Sequence, residues 1–154
     1  MIKNITPTRY FDWAITTPTM LVNLIFYLIF LKDNNIQFFE LFKREFYTIL
    51  IILLLNWLML LFGYLTEIRM IPVTGVILGF IPFLIYYYII YKKYAIDSPG
   101  IDLFYYFFFI WCFYGVSALF SYKIKNMCYN ILDLFSKNFF GVFLFYLLYK
   151  YHFN

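Results

Sequence analysis

Two ionisable residues stand inside the last apolar stretch of this 154-residue chain: Asp133 and Lys137, in Tyr129-Asn-Ile-Leu-Asp-Leu-Phe-Ser-Lys137. From Met127 to Tyr149 the surrounding sequence is almost continuously hydrophobic. A charged side chain at the centre of a bilayer costs about 2.5–3.5 kcal/mol on insertion scales, so it normally marks a pathway, a relay or a bound ligand. Spaced four apart, the two residues lie on one helix face, one turn from each other. A buried lysine that loses its proton can form a Schiff base with an aldehyde, and a nearby carboxylate can balance the iminium charge. The other reading of the same pair is a structural ion pair inside a helix bundle.

A second constellation lies near the start, in Arg9-Tyr-Phe-Asp12-Trp13-Ala-Ile-Thr16-Thr17-Pro18. Arg9 and Asp12 are three apart, and Asp12 and Thr16 four apart, so all three share a helix face. Asn23 lies eleven residues beyond Asp12 and returns to that face about 16 Å further along. A stripe of Arg, Asp, Thr and Asn has the form of a polar pathway through a membrane. The alternative is a capping cluster at the membrane interface.

The elements that must carry these groups follow from composition. The chain is 65% hydrophobic and only 13% charged, against about 45–50% and about 25% in a soluble domain. It reads as an integral membrane protein. Five apolar spans follow, at about 10–31, 46–65, 71–91, 101–122 and 127–149, each near the ~20 residues a helix needs to cross. A short amphipathic stretch, Ile36–Arg44, precedes the second span. Pro82 should kink the third, and Lys123-Ile-Lys-Asn126 forms a tight connection into the fifth. The first eight residues are polar and contain no signal-peptide core.

The net charge of +4 calls for no nucleic-acid partner, because no basic run exceeds two residues. Lys32, Lys43, Arg44, Lys92, Lys93 and Lys150 fall on one side of the membrane and Lys3, Arg9, Arg69, Lys123 and Lys125 on the other. That slight excess favours an external N-terminus. Cys112 and Cys128 sit in or beside apolar spans with no CxxC, which suits packing rather than metal binding.

At this point the motifs resemble a known family. Arg9-Tyr-x-Asp12-Trp13-x-x-Thr16-x-Pro18 is similar to the third helix of the microbial (type I) rhodopsins. Tyr129-Asn130-x-x-Asp133-x-x-x-Lys137 resembles their seventh helix, close to the proteorhodopsin version. Trp111-x-x-Tyr114 resembles the retinal-facing part of the sixth, and Phe62-Gly63-Tyr64-Leu65-x-Glu67 the end of the fourth. The fold implied is an all-α membrane protein: one partial rhodopsin domain over residues 1–154. It would comprise five transmembrane helices of a seven-helix bundle, N-terminally truncated, with a partner chain supplying the other two as the alternative.

By resemblance, Lys137 holds all-trans retinal as a protonated Schiff base, and Asp12 and Asp133 are its counter-ions. Asp12 is also the proton acceptor, Arg9 steadies the carboxylates, and Thr16 bonds Asp12 through its hydroxyl. Trp13, Thr17, Met20, Trp111 and Tyr114 line the chromophore, with Met20 at a position that goes with green absorption. The resemblance implies a light-driven ion translocator, an outward proton pump rather than a conventional enzyme. Its partners would be retinal, lipid, and protons or small cations, and the family forms homo-oligomers such as trimers or pentamers. Three departures stand out. Asn23 occupies the place of a carboxylic proton donor, Gly115 and Ala118 replace a usual proline and aromatic, and two helices have no counterpart here. Asn23 raises a light-gated cation channel or photosensor as the runner-up. The missing helices raise a fragment that binds no retinal.

Overall fold

Apolar residues three and four apart give the first helix a single buried seam. In α1 (Thr6–Phe30) that seam runs through Tyr10, Trp13, Thr17, Met20, Leu21, Leu24 and Leu28, the spacing expected of a helix with one packed face. The structure, a computed structural model, describes residues 6–33, 37–70 and 73–153. Lys3, Asn34, Asn35, Ile36, Ile71 and Pro72, which enter the expectations above, lie outside the described residues.

The second helix, α2, runs unbroken from Phe38 to Glu67. Residues 38–44 are therefore its first two turns and not a separate amphipathic element. No proline interrupts this stretch, so nothing ends the hydrogen-bond ladder before Gly63 and Thr66 are passed. Much of α2 remains exposed, including Tyr47, Leu54 and Leu61. That is the expected condition of a helix apolar all round and bordered by lipid. Two features hold α1 against it. At Gly63 an added Cβ would sit 2.8 Å from the Tyr10 ring, so only glycine admits that approach. Further along, Trp57 Nε1 donates to the backbone carbonyl of Ala14 over 2.8 Å. The residue four beyond Ala14 is Pro18, which has no N–H to offer that carbonyl. Lipid could not satisfy it either, so a neighbouring helix does.

The third helix, α3 (Thr74–Ile90), contains Pro82 and passes into a widened π-helical turn at Tyr91–Ala95. Its side chains Phe83, Tyr86, Tyr87 and Ile90 are almost fully buried, as are Leu21, Leu24, Ile25 and Leu28 of α1 and Ile52 of α2. These make the core of the first unit. Asp97 turns the chain with a positive φ of 62°, a conformation that aspartate tolerates better than most residues. Ser98 then donates to the Leu28 carbonyl over 3.2 Å and accepts from the Gly100 N–H. That loop leads into α4 (Ile101–Ser117).

The chain divides into two compact units, the first ending at Tyr105 and the second beginning at Tyr106. In the second, α4 ends at Ser117, five residues before the expected limit of the fourth span. The Lys123–Asn126 segment is helical rather than a connection: α5 spans Tyr122–Asp133, entered from extended Ser121. The polar residues misled the reading, because Lys123, Lys125 and Asn126 make one side of an amphipathic first turn and do not break it. A π-helical turn, Leu134–Phe139, joins α5 to α6 (Phe140–Phe153). No strand occurs among the described residues. Three helices, Thr6–Phe30, Phe39–Glu67 and Thr74–Ala95, are long and apolar enough to cross a membrane.

Candidate functional site

The second unit brings the lysine and aspartate together. Lys137 Nζ lies 3.6 Å from Asp133 Oδ1, with the two side chains 26% and 24% exposed. Both ride on the same helical rod, and Lys137 sits within its widened turn. Turns of this kind occur frequently at functional sites, since the extra residue re-aims side chains and disturbs the regular ladder. The Tyr106 hydroxyl donates to the carbonyl of Phe135 in that turn over 2.9 Å, giving a backbone acceptor there an added partner.

Tyr114 of α4 fixes the carboxylate. Its hydroxyl donates to Asp133 Oδ1 at 2.5 Å and lies 3.0 Å from Ser136 Oγ. A phenol has one proton, and the carboxylate takes it, so the Ser136 hydroxyl donates to the Tyr114 oxygen. The Tyr114 ring stacks on buried Tyr129, with centroids 5.8 Å apart. Trp111 is buried beside Phe107, which meets Phe140 edge-on at 4.7 Å. The lysine amine therefore stands at a charged and hydrogen-bonded end of an aromatic wall.

In the first unit, α1 separates its polar and packed sides. Trp13, Thr17 and Met20 are buried, Arg9 and Thr16 half-buried, and Asp12 and Asn23 exposed. The Thr16 hydroxyl bonds Asp12, and the acceptor is the Asp12 backbone carbonyl, over 3.0 Å. A helical threonine readily back-bonds to the carbonyl four residues earlier, and its one proton is then spent. Thr17 does the same to Trp13 over 2.8 Å.

Sequence reading passed over Asn56. It is fully buried in α2, and its Nδ2 donates to Thr17 Oγ1 at 2.7 Å. Its Oδ1 has no hydrogen-bond partner among the described residues. An amide alone in Leu-Leu-Leu-Asn56-Trp57 was the available signal, because an uncharged polar group in mid-membrane seeks a partner helix. Ser136 was missed for a different reason, since a serine in an apolar run has no diagnostic spacing.

Residues 3–151 match the family described as bacteriorhodopsin-like protein. The crystal structure of the viral rhodopsin OLPVRII superposes with a TM-score of 0.84 at 36% identity, covering 97% of this chain and 69% of that one. No curated protein matches the chain.

Proposed function

The chain belongs to the bacteriorhodopsin-like family, and from that premise we propose that it is a light-driven ion translocator moving protons outward. The family's chromophore is retinal, joined to a lysine as a Schiff base, and we assign that lysine to Lys137. The carrying observation is the Lys137–Asp133 pair at 3.6 Å, with Tyr114 bonded to the same carboxylate oxygen. These residues fit the group. A primary amine beside a carboxylate can condense with an aldehyde, releasing water, and leave its positive charge next to a standing negative one. Trp111 and Tyr114 supply an aromatic flank on α4; the assignment of Trp13, Thr17 and Met20 to the chromophore rests on the family motif.

Retinal supplies the absorption of light and an isomerisation that changes where the nitrogen's proton can go. The chain's own residues do the rest. Asp133 balances the positive nitrogen, held in place by the Tyr114 hydroxyl, which Ser136 orients in turn. Asp12 is the acceptor in this scheme, with Arg9 about one turn before it on α1. Because Thr16 is bonded to the backbone, it positions the helix turn rather than the carboxylate. The N-terminus faces outward in this reading, consistent with the basic residues gathered where α1 ends and α2 begins.

Asn23 favours a second reading. An amide cannot supply a proton, so recovery after proton release is slow unless another route exists, as suits a cation channel or photosensor. Two measurements test the scheme. Membranes containing the chain and all-trans retinal should show a red-shifted visible band that a Lys137→Ala variant lacks. In illuminated vesicles, a pump builds a proton gradient from none, whereas a channel only dissipates an imposed one. A band that survives Lys137→Ala would sink the assignment of Lys137, and no band from folded protein would mean that this chain by itself does not form the retinal site.

A further inference from the structure

At the end of the first unit where α1 meets α2, a cavity of about 260 Å³ is lined by Ile29, Lys32, Asp33, Arg44, Glu45, Lys93 and Tyr94. Its charged residues come from three places in the chain: the turn after α1, the start of α2 and the widened turn after α3. We propose that this cavity binds the phosphate of an anionic phospholipid from the adjoining leaflet.

Among the lining residues, Glu45 has a side chain only 8% exposed. Its Oε1 accepts from Arg44 Nε at 3.1 Å, and its Oε2 from Lys93 Nζ at 2.8 Å and from the Tyr94 hydroxyl at 2.7 Å. Lys93 also reaches Thr48. Glu45 is therefore engaged from within by three donors of the roughly four a carboxylate can accept. Lys32 gives one N–H to the Ile96 carbonyl at 2.7 Å, which leaves two. Arg44 bonds through Nε alone among the described residues, which leaves both terminal nitrogens of a 57%-exposed side chain.

The lining holds three cations, Lys32, Arg44 and Lys93, against two carboxylates, Asp33 and Glu45. The surplus is one positive charge, with N–H donors to match. An anion with several oxygens meets that demand, and phosphate suits a guanidinium fork paired with an ammonium. Position selects the source. The cavity opens where the apolar stretch of α1 ends, at the depth of headgroups, and basic pockets between membrane helices are known to take them. Phe30, next to Ile29 in α1, and Phe42 and Phe46, on either side of Arg44 and Glu45 in α2, are exposed and offer a surface for the acyl chains.

The test uses the full chain in neutral detergent micelles, titrated with phosphatidylglycerol, with phosphatidylcholine and with inorganic phosphate, and read by native mass spectrometry. Phosphatidylglycerol should be retained in preference to phosphatidylcholine. Each cation removed should weaken its binding about fivefold, so Lys32→Gln with Arg44→Gln loses about 25-fold. The charge-preserving pair Lys32→Arg with Arg44→Lys should bind nearly as the parent does. Glu45→Gln should bind more tightly, because Arg44 and Lys93 lose their internal counter-ion. Equal retention of the two lipids, or unchanged binding by the glutamine pair, overturns the proposal. Inorganic phosphate binding as well as phosphatidylglycerol overturns the lipid assignment. Should the glutamine pair lose helical circular dichroism, salt dependence of phosphatidylglycerol binding by the parent decides instead: binding that does not weaken with salt overturns the proposal.

Discussion

Two places in this molecule use the same three groups and reach different ends. In each, a widened helical turn carries a lysine that pairs with a carboxylate, and that carboxylate accepts from a tyrosine hydroxyl. At the first, Lys93 lies 2.8 Å from Glu45 and Tyr94 2.7 Å from it. At the second, Lys137 lies 3.6 Å from Asp133, which Tyr114 reaches at 2.5 Å. The difference is where the carboxylate originates. Glu45 belongs to another helix and is buried, so the contact clasps α2 to the end of α3. Asp133 sits one turn from Lys137 on the same rod and is about a quarter exposed, so their contact joins nothing that the backbone has not already joined. The close inter-helix pair fastens the fold, whereas the looser Lys137–Asp133 pair lies along one helix and Tyr114 reaches its carboxylate from α4.

The largest expected effect separates the two lysines by chemistry. Lys137→Ala abolishes the visible band formed with retinal, while Lys93→Ala keeps it; an absorption spectrum of each decides. The carboxylates should divide the other way, in stability. Glu45→Ala leaves Lys93 and Tyr94 without their acceptor and costs about 3 kcal/mol, at the low end for a broken buried pair because Lys93 is 45% exposed. Asp133→Asn should cost about 1 kcal/mol or less. Denaturant titration of helical circular dichroism in mixed micelles compares them, and equal losses would erase the distinction. Smaller again is the tyrosine contrast. Tyr94→Phe removes a buried bond to a charged group, worth about 2 kcal/mol, and Tyr114→Phe about 1 kcal/mol. The same titration should then find about 1 kcal/mol for Trp57→Phe, which strands the carbonyl that Pro18 leaves open.

The sequence was most legible where the relevant geometry is local. Asp133 and Lys137 are neighbours because four residues make about one turn, and any helix would bring them together. The buried seam of α1 was likewise implicit in its spacing, as was the position of Asp12 and Asn23 on a side of their own. What stayed hidden depends on register between helices. Neither Asn56 meeting Thr17 nor Trp57 meeting Ala14 follows from periodicity, since each requires knowing how far α2 is slid along α1. The widened turns were equally invisible, because one extra residue barely disturbs a pattern in which nearly every position is apolar. Thr16 shows a third limit. Its spacing from Asp12 allowed two acceptors, and the backbone carbonyl, always present, took precedence over the carboxylate.

The turn at Leu134–Phe139 makes the length of this segment a heritable property in its own right. Such a turn amounts to a single-residue insertion in a regular helix, and each residue advances the helix by about 100°. Deleting exposed Asn138 should let the turn collapse to ordinary winding, so that downstream residues keep their faces and Asp133 and Lys137 stay one turn apart. A deletion between Asp133 and Lys137 would instead leave the pair three apart and change their relative orientation directly, even with every chemically important residue retained. Lineages of this chain should therefore tolerate substitutions around the lysine far more readily than changes of length between residues 133 and 137.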